Sequence, residues 1–294
     1  MASRVTSELL LVGSLPVDST ETAFRAGAEL FGDMVFALPD GETGPRAAWV
    51  GYERETLARP NPEVIVVSET ESPTGRPRHA YETPVFGIRE GVTELHFDRW
   101  PRIDDAIESY RVFRALRDEG VIPTGLRFQV GLPFPASALN AFKADFASDY
   151  PKAERGFEKL VARELERMLA EIPAEDLAIQ WDCAYETQDI EGVLAWTTEG
   201  GWERFAGPRY LRSEDRNFFR PLVDLEPGPA RVFLGIVLPI DGVSGLERRH
   251  RTASRYLSDF GVAMYCGFGR QPGADGMETM REHRRVARSI KHGA

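Results

Sequence analysis

DMVFALPDGETGPR, Asp33 to Arg46, is the stretch from which the fold follows. An apolar run, Met34 to Leu38, meets a proline and then a turn carrying Asp40, Glu42 and Arg46. Aromatic and β-branched residues bounded by Gly or Pro are strand signals. The same device recurs along the chain in ELLLVGSLP (8–16), LRFQVGLPFPAS (126–137), LAIQWDCAYE (177–186), RVFLGIVLPIDG (231–242) and VAMYCGFGR (262–270). In each, a short apolar run ends in glycine, proline or polar residues.

Helical patterns lie between these runs. Glu154 to Ile172 sets Phe157, Leu160, Val161, Leu165, Met168, Leu169 and Ile172 on one stripe with charges opposite. Asp104 to Glu119 repeats Ile107, Tyr110, Phe113 and Leu116 at helical spacing. Thr20 to Phe31 and Leu246 to Leu257 are further helices of the same kind. Strands alternating with helices mean parallel strands and crossover connections. GSLP after the first strand is not a dinucleotide fingerprint, which favours a closed (β/α)8 TIM-type barrel over an open nucleotide-binding sheet. EVIVVSE (63–69) and VTELHFD (92–98) are expected to pair as a β-hairpin excursion near 63–98, around the polar, Pro-rich SPTGRPRHAYETP. Thr187 to Pro229 holds turn signals and no convincing strand, so the barrel is expected to be incomplete there.

Composition narrows the function classes. The 294 residues are 42% hydrophobic and 28% charged, with a formal net charge of -10. A non-specific nucleic-acid binder needs a basic face, so that class is disfavoured. REHRRVARSIKH reads as a solvated last helix. Two cysteines exclude a disulfide framework and fit a reducing cytosol. LLLVGSL is too short for a membrane span. The expectation is a single cytoplasmic barrel domain over 1–294, acting on a small molecule and binding neither membrane nor nucleic acid. The oligomeric state is not legible.

In barrels of this kind the chemistry sits where strands end and loops begin. Asp40 and Glu42 there can bind an amine or act as acid or base, and Arg46 can clamp a carboxylate. Asp-Gly is also an ordinary turn dipeptide. Alternation along QWDCAYE sends Gln180 and Asp182 one way and Trp181 and Cys183 the other. Cys183 therefore reads as a buried structural thiol. Gln129 on its strand and Asp241 after LPI are further rim residues. No histidine is spaced from a cysteine like a local metal motif; His96 falls in the expected hairpin, and His250, His283 and His292 in basic helical segments.

Taken in order, VGSLP, LPDGETGPR, QVGLPFP, QWDCAYE and YCGFGR resemble the catalytic C-terminal barrel of the cobalamin-independent methionine synthase family. The resemblance runs from about Val12 to Arg270 and is closest to stand-alone bacterial methionine-synthase-like proteins. It implies a zinc ion that activates a small thiol for attack on an alkyl group. Cys266 then matches the family's last zinc cysteine. Asp182 matches the aspartate that holds the substrate amino group, and Cys183 stands where the family has glutamate. The expected site thus has Asp182, Asp40, Glu42 and Arg46 as catalytic residues. Ser14, Gln129, Phe134, Tyr185, Glu186, Asp241 and Arg270 are expected to contact substrate, with Cys266 on the metal.

The family's His-x-Cys strand end and glutamate ligand have no counterpart here. A β/α unit is expected to be absent, with the junction near Gly207, Pro208 and Arg209. Either the chain lacks that unit and its zinc, or a stretch carrying the ligands has been left out of the sequence. The second is favoured, because only about six barrel strands are counted against the eight that closure requires. Three functions compete: a zinc-dependent alkyl or methyl transferase on a small thiol, a metal-free lyase or decarboxylase, and a non-catalytic binding homologue.

Overall fold

The computed structural model describes residues 9–69, 84–182, 220–225, 231–238, 241–264, 266–270 and 274–290. The strands are β1 (Leu9–Leu10), β2 (Ala37–Pro39), β3 (Val64–Ser68), β4 (Val85–Ile88), β5 (Arg127–Pro133), β6 (Leu177–Asp182), β7 (Phe233–Val237) and β8 (Gly261–Met264). The helices are α1 (Thr20–Phe31), α2 (Val50–Glu53), α3 (Pro101–Asp118), α4 (Pro135–Ala138), α5 (Phe146–Glu171), α6 (Gly242–Ala253) and α7 (Ala274–Ile290).

Apart from β3 and β4, every strand pairs parallel to its neighbours. One sheet has the order β2-β5-β6 and the other β1-β8-β7. A parallel bridge between Ser14 and Gly41 joins them just beyond β1 and β2. There the Leu15 N–H donates to the Gly41 carbonyl at 2.8 Å. The continuous order is therefore β6-β5-β2-β1-β8-β7, with helices between successive strands. This is the barrel-type α/β fold, open among the described residues between β6 and β7. The stretch 187–229 lies outside the described residues except for a 3-10 turn, Arg220–Asp224. The junction near Pro208 and Arg209 also lies outside them.

Local chemistry starts the helices where the alternating pattern requires. Ser19 caps α1, its hydroxyl accepting from the Thr22 N–H at 3.1 Å, and Ala23, Phe24, Gly27 and Phe31 form the buried stripe. Pro101 opens α3, where a missing N–H costs no hydrogen bond. The aromatic rings of Phe24 on α1, Tyr110 and Phe113 on α3, and Phe128 on β5 meet at centroid distances of 5.3 to 6.3 Å. All four side chains are buried and bind α1 and α3 to the sheet.

The excursion is a hairpin, but with a different second strand. β3 pairs antiparallel with β4, Val85–Ile88, and not with VTELHFD. That segment forms no strand: Leu95 and Phe97 are buried, His96 and Asp98 are exposed, and Glu94 is half-buried. The Leu95 N–H donates to the Lys152 carbonyl at 3.2 Å, and Phe97 meets Phe157 edge-on. An extended chain lying on α5 alternates like a strand without joining a sheet. Two helix boundaries also move. α5 begins at Phe146 because Asp145 caps it, and it carries Pro151 in its second turn. α6 begins four residues before Leu246, directly after Asp241. In α7, His283 is buried rather than solvated, between the rings of Phe31 and Phe268.

Candidate active site

Parallel strands deliver their C-terminal ends to one rim, and the polar residues gather there. Gly41 and Glu42 both take positive φ, 82° and 42°. Two successive positive φ values turn the chain sharply between Asp40 and Glu42. Asp40 faces α3. It accepts from the Ser109 hydroxyl at 2.7 Å, from the Arg46 guanidinium, and from the Glu42 backbone N–H at 2.9 Å. Its carboxylate is fully occupied in holding the turn.

Glu42 faces the barrel mouth. A β-carbon at Gly13 would stand 3.1 Å from Glu42 Oε2, and one at Gly131 would stand 3.4 Å from Glu42 Oε1 and 3.5 Å from Asp182 Oδ2. Gly13 thus leaves room for the Glu42 carboxylate, and Gly131 faces both carboxylates at ordinary contact distance. On the other side of Glu42, Arg102 Nη1 donates to Oε1 at 3.1 Å. Burial pushes the Glu42 carboxyl up to about 7; Arg102 opposes this, and the charges of Asp40 and Asp182 add to it.

Asp182 ends β6 and points the same way. It accepts from Trp49 Nε1 at 3.0 Å and from Gln180 Nε2 at 2.8 Å. Burial raises its carboxyl too, against those two hydrogen bonds and the charge of Arg102. Gln180 also donates to the Val12 carbonyl at 2.8 Å, and Gln129 donates to Gln180 and to the Leu11 carbonyl. These amides tie β5 and β6 across to β1. A small cavity lies beneath, lined by Gly13, Asp40, Glu42, Arg46, Arg102, Gln129 and Gly131.

Arg102, on α3, connects the parts. Its Nε and Nη2 grip both oxygens of Glu53, which also accepts from Trp100 Nε1 at 3.3 Å. Glu53 and Arg102 are 1% and 5% exposed, so both charges depend on this pairing. Burial would lower the guanidinium's proton affinity, but the charge of Glu53 holds it above its ordinary value. Trp49, at φ 53°, is the other non-glycine residue with positive φ among the described residues. Both such residues therefore sit in this site, where strain is commonly stored.

Sequence reasoning missed Arg102, Glu53, Trp49 and Ser109. Trp100-Pro101-Arg102 was the available signal, since a proline at a helix start places the next residue in the first turn. Phe134 is exposed and tilts against Trp181, centroids 5.2 Å apart. Trp181 thus turns away from Asp182, as alternation requires.

The remaining candidates stand elsewhere. Asp241 is gripped by Arg249 at 2.7 Å through both nitrogens, and Arg249 Nε also donates to the Ile236 carbonyl. Ser14 is buried, its carbonyl accepting from the Phe268 and Gly269 amides at 2.7 and 3.2 Å. Cys266 is a half-buried free thiol. Tyr185, Glu186 and Cys183 lie outside the described residues, as does the Arg270 side chain. Among the described residues no three His, Cys, Asp or Glu side chains converge to hold a metal. The described donor set by itself therefore does not fit zinc.

Fold and site together define a barrel-type α/β protein with an acidic rim. Among solved structures the chain is similar to a B12-independent methionine synthase from Shewanella sp. W3-18-1, determined in complex with selenomethionine. The match covers 97% of this chain and 98% of that one, at a TM-score of 0.59 and 12% identity. At that identity the likeness shows the fold alone. No family model and no curated protein matches the chain. Among the described residues no helix is long and apolar enough to cross a membrane.

Proposed function

We propose that the rim is the active site of a methionine-synthase-like enzyme that binds a small amine-bearing thiol and transfers an alkyl group to its sulfur. The observation that carries this reading is the charge imbalance at the mouth. Among the described residues Asp40, Glu42, Glu53 and Asp182 are set against two cations, Arg46 and Arg102. Arg46 is taken by Asp40, and Arg102 is shared between Glu53 and Glu42. Asp182 has neutral donors only among its hydrogen bonds. A substrate ammonium supplies the missing cation and favours the ionised form of Asp182, which burial opposes.

Glu42 then serves as proton acceptor. With its carboxyl near 7, it can take the thiol proton at neutral pH. The thiolate sulfur forms its bond to the donor's alkyl carbon as the carbon's bond to the leaving group breaks, and the leaving group departs with the electron pair. Titration calorimetry tests the binding half. An amino-acid thiol is expected to bind at least about tenfold tighter than the same thiol without its amino group, a gap of about 1.4 kcal/mol. Asp182→Asn should erase the difference. Equal affinity for the two thiols overturns the reading.

A second reading is favoured by the raised carboxyl of Glu42. Near 7, it suits acid–base chemistry in which a substrate carboxylate leaves as carbon dioxide, the bonding electrons stay on carbon, and Glu42 gives that carbon its proton. Zinc content of the purified protein and turnover in the presence of a chelator separate the two readings.

A further inference from the structure

We propose that Glu53 is a positioning residue that acts on Glu42 through Arg102. The geometry of one guanidinium carries the inference. Arg102 has five N–H bonds, and every one has an acceptor in place. Nε and one N–H of Nη2 go to the two oxygens of Glu53. The second N–H of Nη2 reaches the Trp49 carbonyl at 3.4 Å. Nη1 divides between Glu42 at 3.1 Å and the Gly131 carbonyl at 3.2 Å. Glu53 takes the bidentate fork, the stronger mode, and Glu42 receives a single N–H. Glu53 thereby fixes the plane of the guanidinium and draws its charge away from the barrel mouth.

The other groups facing Glu42 cannot replace this control. From the β2 end comes Asp40, whose charge is met by Arg46 and the Ser109 hydroxyl. From β6 comes Asp182, a second negative charge. From β1 and β5 come Gly13 and Gly131, with no side chain at all. Among the described residues Arg102 is the cation that acts most strongly on Glu42. How strongly it attracts Glu42 therefore sets where Glu42 gives up its proton. Removing the Glu53 charge frees Arg102 for Glu42, and Glu42 should then ionise at lower pH.

The inference rests on the reading above for the meaning of Glu42's proton, but its test does not. In the full chain labelled with carbon-13 at glutamate side-chain carboxyls, the Glu42 signal is assigned by its loss in Glu42→Gln and then titrated. Glu53→Gln is expected to lower the Glu42 midpoint by about one pH unit, a tenfold change in proton affinity. Glu53→Asp should restore part of the shift. The double variant Arg102→Met with Glu53→Gln removes the buried pair together and is expected to fold, because replacing both partners is far milder than stranding one. In it the midpoint should rise above that of the unaltered protein. If Glu53→Gln does not fold, Glu53→Asp decides, with a smaller downward shift of the Glu42 midpoint expected from its shorter reach to Arg102.

A Glu42 midpoint that stays within roughly 0.3 pH unit in the folded variants, or moves the opposite way, overturns the inference. If the midpoint moves as expected while amine-bearing thiols show no preference, the functional reading falls and the positioning role stands. If the thiols bind as expected and the midpoint does not move, only the positioning role falls.

Discussion

The two sheets of this barrel end in the same kind of sequence and use it for different ends. At the exits of β2, β5 and β6, the polar residues converge on a shared space: Glu42, Asp182 and the Arg102–Glu53 pair act on one another across four elements. At the exit of β7, the polar residue turns back on its own unit. Asp241 is held by Arg249, one α6 turn pair away, and Gly245 lies so close beneath that a β-carbon there would overlap the Asp241 carboxylate. An acidic residue after a strand is thus ambiguous until its cation is located. Where the cation comes from the same helix, the pair is an anchor; where it comes from across the barrel, the pair is available for chemistry.

The sharpest way to break this contrast is Glu42→Gln. It should lower affinity for an amine-bearing thiol about 100-fold, roughly 3 kcal/mol, as removal of a buried charged partner does. Stability should move the other way. A carboxyl raised to about 7 binds more protons folded than unfolded between its ordinary value near 4.5 and 7, so it makes the protein progressively less stable as pH rises through that window. The variant should lose that slope and gain up to about 3 kcal/mol at pH 8. Loss of both binding and stability would put Glu42 among the anchors.

Asp241→Asn is the mirror experiment. It should cost about 2 to 3 kcal/mol, because it strands the buried Arg249 guanidinium, and leave thiol affinity unchanged. Hydrogen bonding to Arg249 holds the Asp241 carboxyl below its ordinary value. Its stabilisation is therefore present above about pH 4 and lost as pH falls through the lowered value. The variant's denaturation midpoint should accordingly flatten on the acid side. A binding defect as large as that of Glu42→Gln would erase the distinction between the sheets.

Gly131→Ala sharpens the contrast more finely. The new methyl would crowd Glu42 Oε1 and Asp182 Oδ2 at ordinary contact distances. We expect affinity to fall about tenfold and stability to change by less than about 1 kcal/mol, since the fold itself has room. The smallest effect belongs to Cys266→Ser, with stability and thiol affinity within about 0.5 kcal/mol of the unaltered protein, as for a change away from the core and the site. A drop in zinc content on that substitution would show that residues beyond those described complete a metal site with Cys266.

Legibility followed the range of the interactions. α1 keeps the expected bounds, Thr20 to Phe31, because its cap and its buried stripe both lie within or beside the segment. The strand ends were readable because proline and glycine announce them locally. VTELHFD misled because burial alternates along any extended segment, and only the partner decides whether it is a strand. At the rim, Asp40, Glu42 and Asp182 showed themselves by following strands. What they do was not legible, since the sorting into anchor and open site depends on Arg102, Ser109 and Glu53, distant in sequence and ordinary in context. Trp49 was hidden for another reason: its backbone conformation is imposed by the surroundings and leaves no mark in its neighbours.

Ser14 sits at the seam between the two sheets, and it fastens the seam with its backbone. The Leu15 amide reaches Gly41 on one side, and the Ser14 carbonyl receives the Phe268 and Gly269 amides on the other. The Ser14 Oγ also accepts from the Gly269 N–H at 3.2 Å, so Ser14→Ala should remove that one bond and leave the backbone bonds in place. The seam is instead open to isotope exchange. The amides of Leu15, Phe268 and Gly269 should trade their protons for deuterium at one common rate, because a single opening event exposes all three.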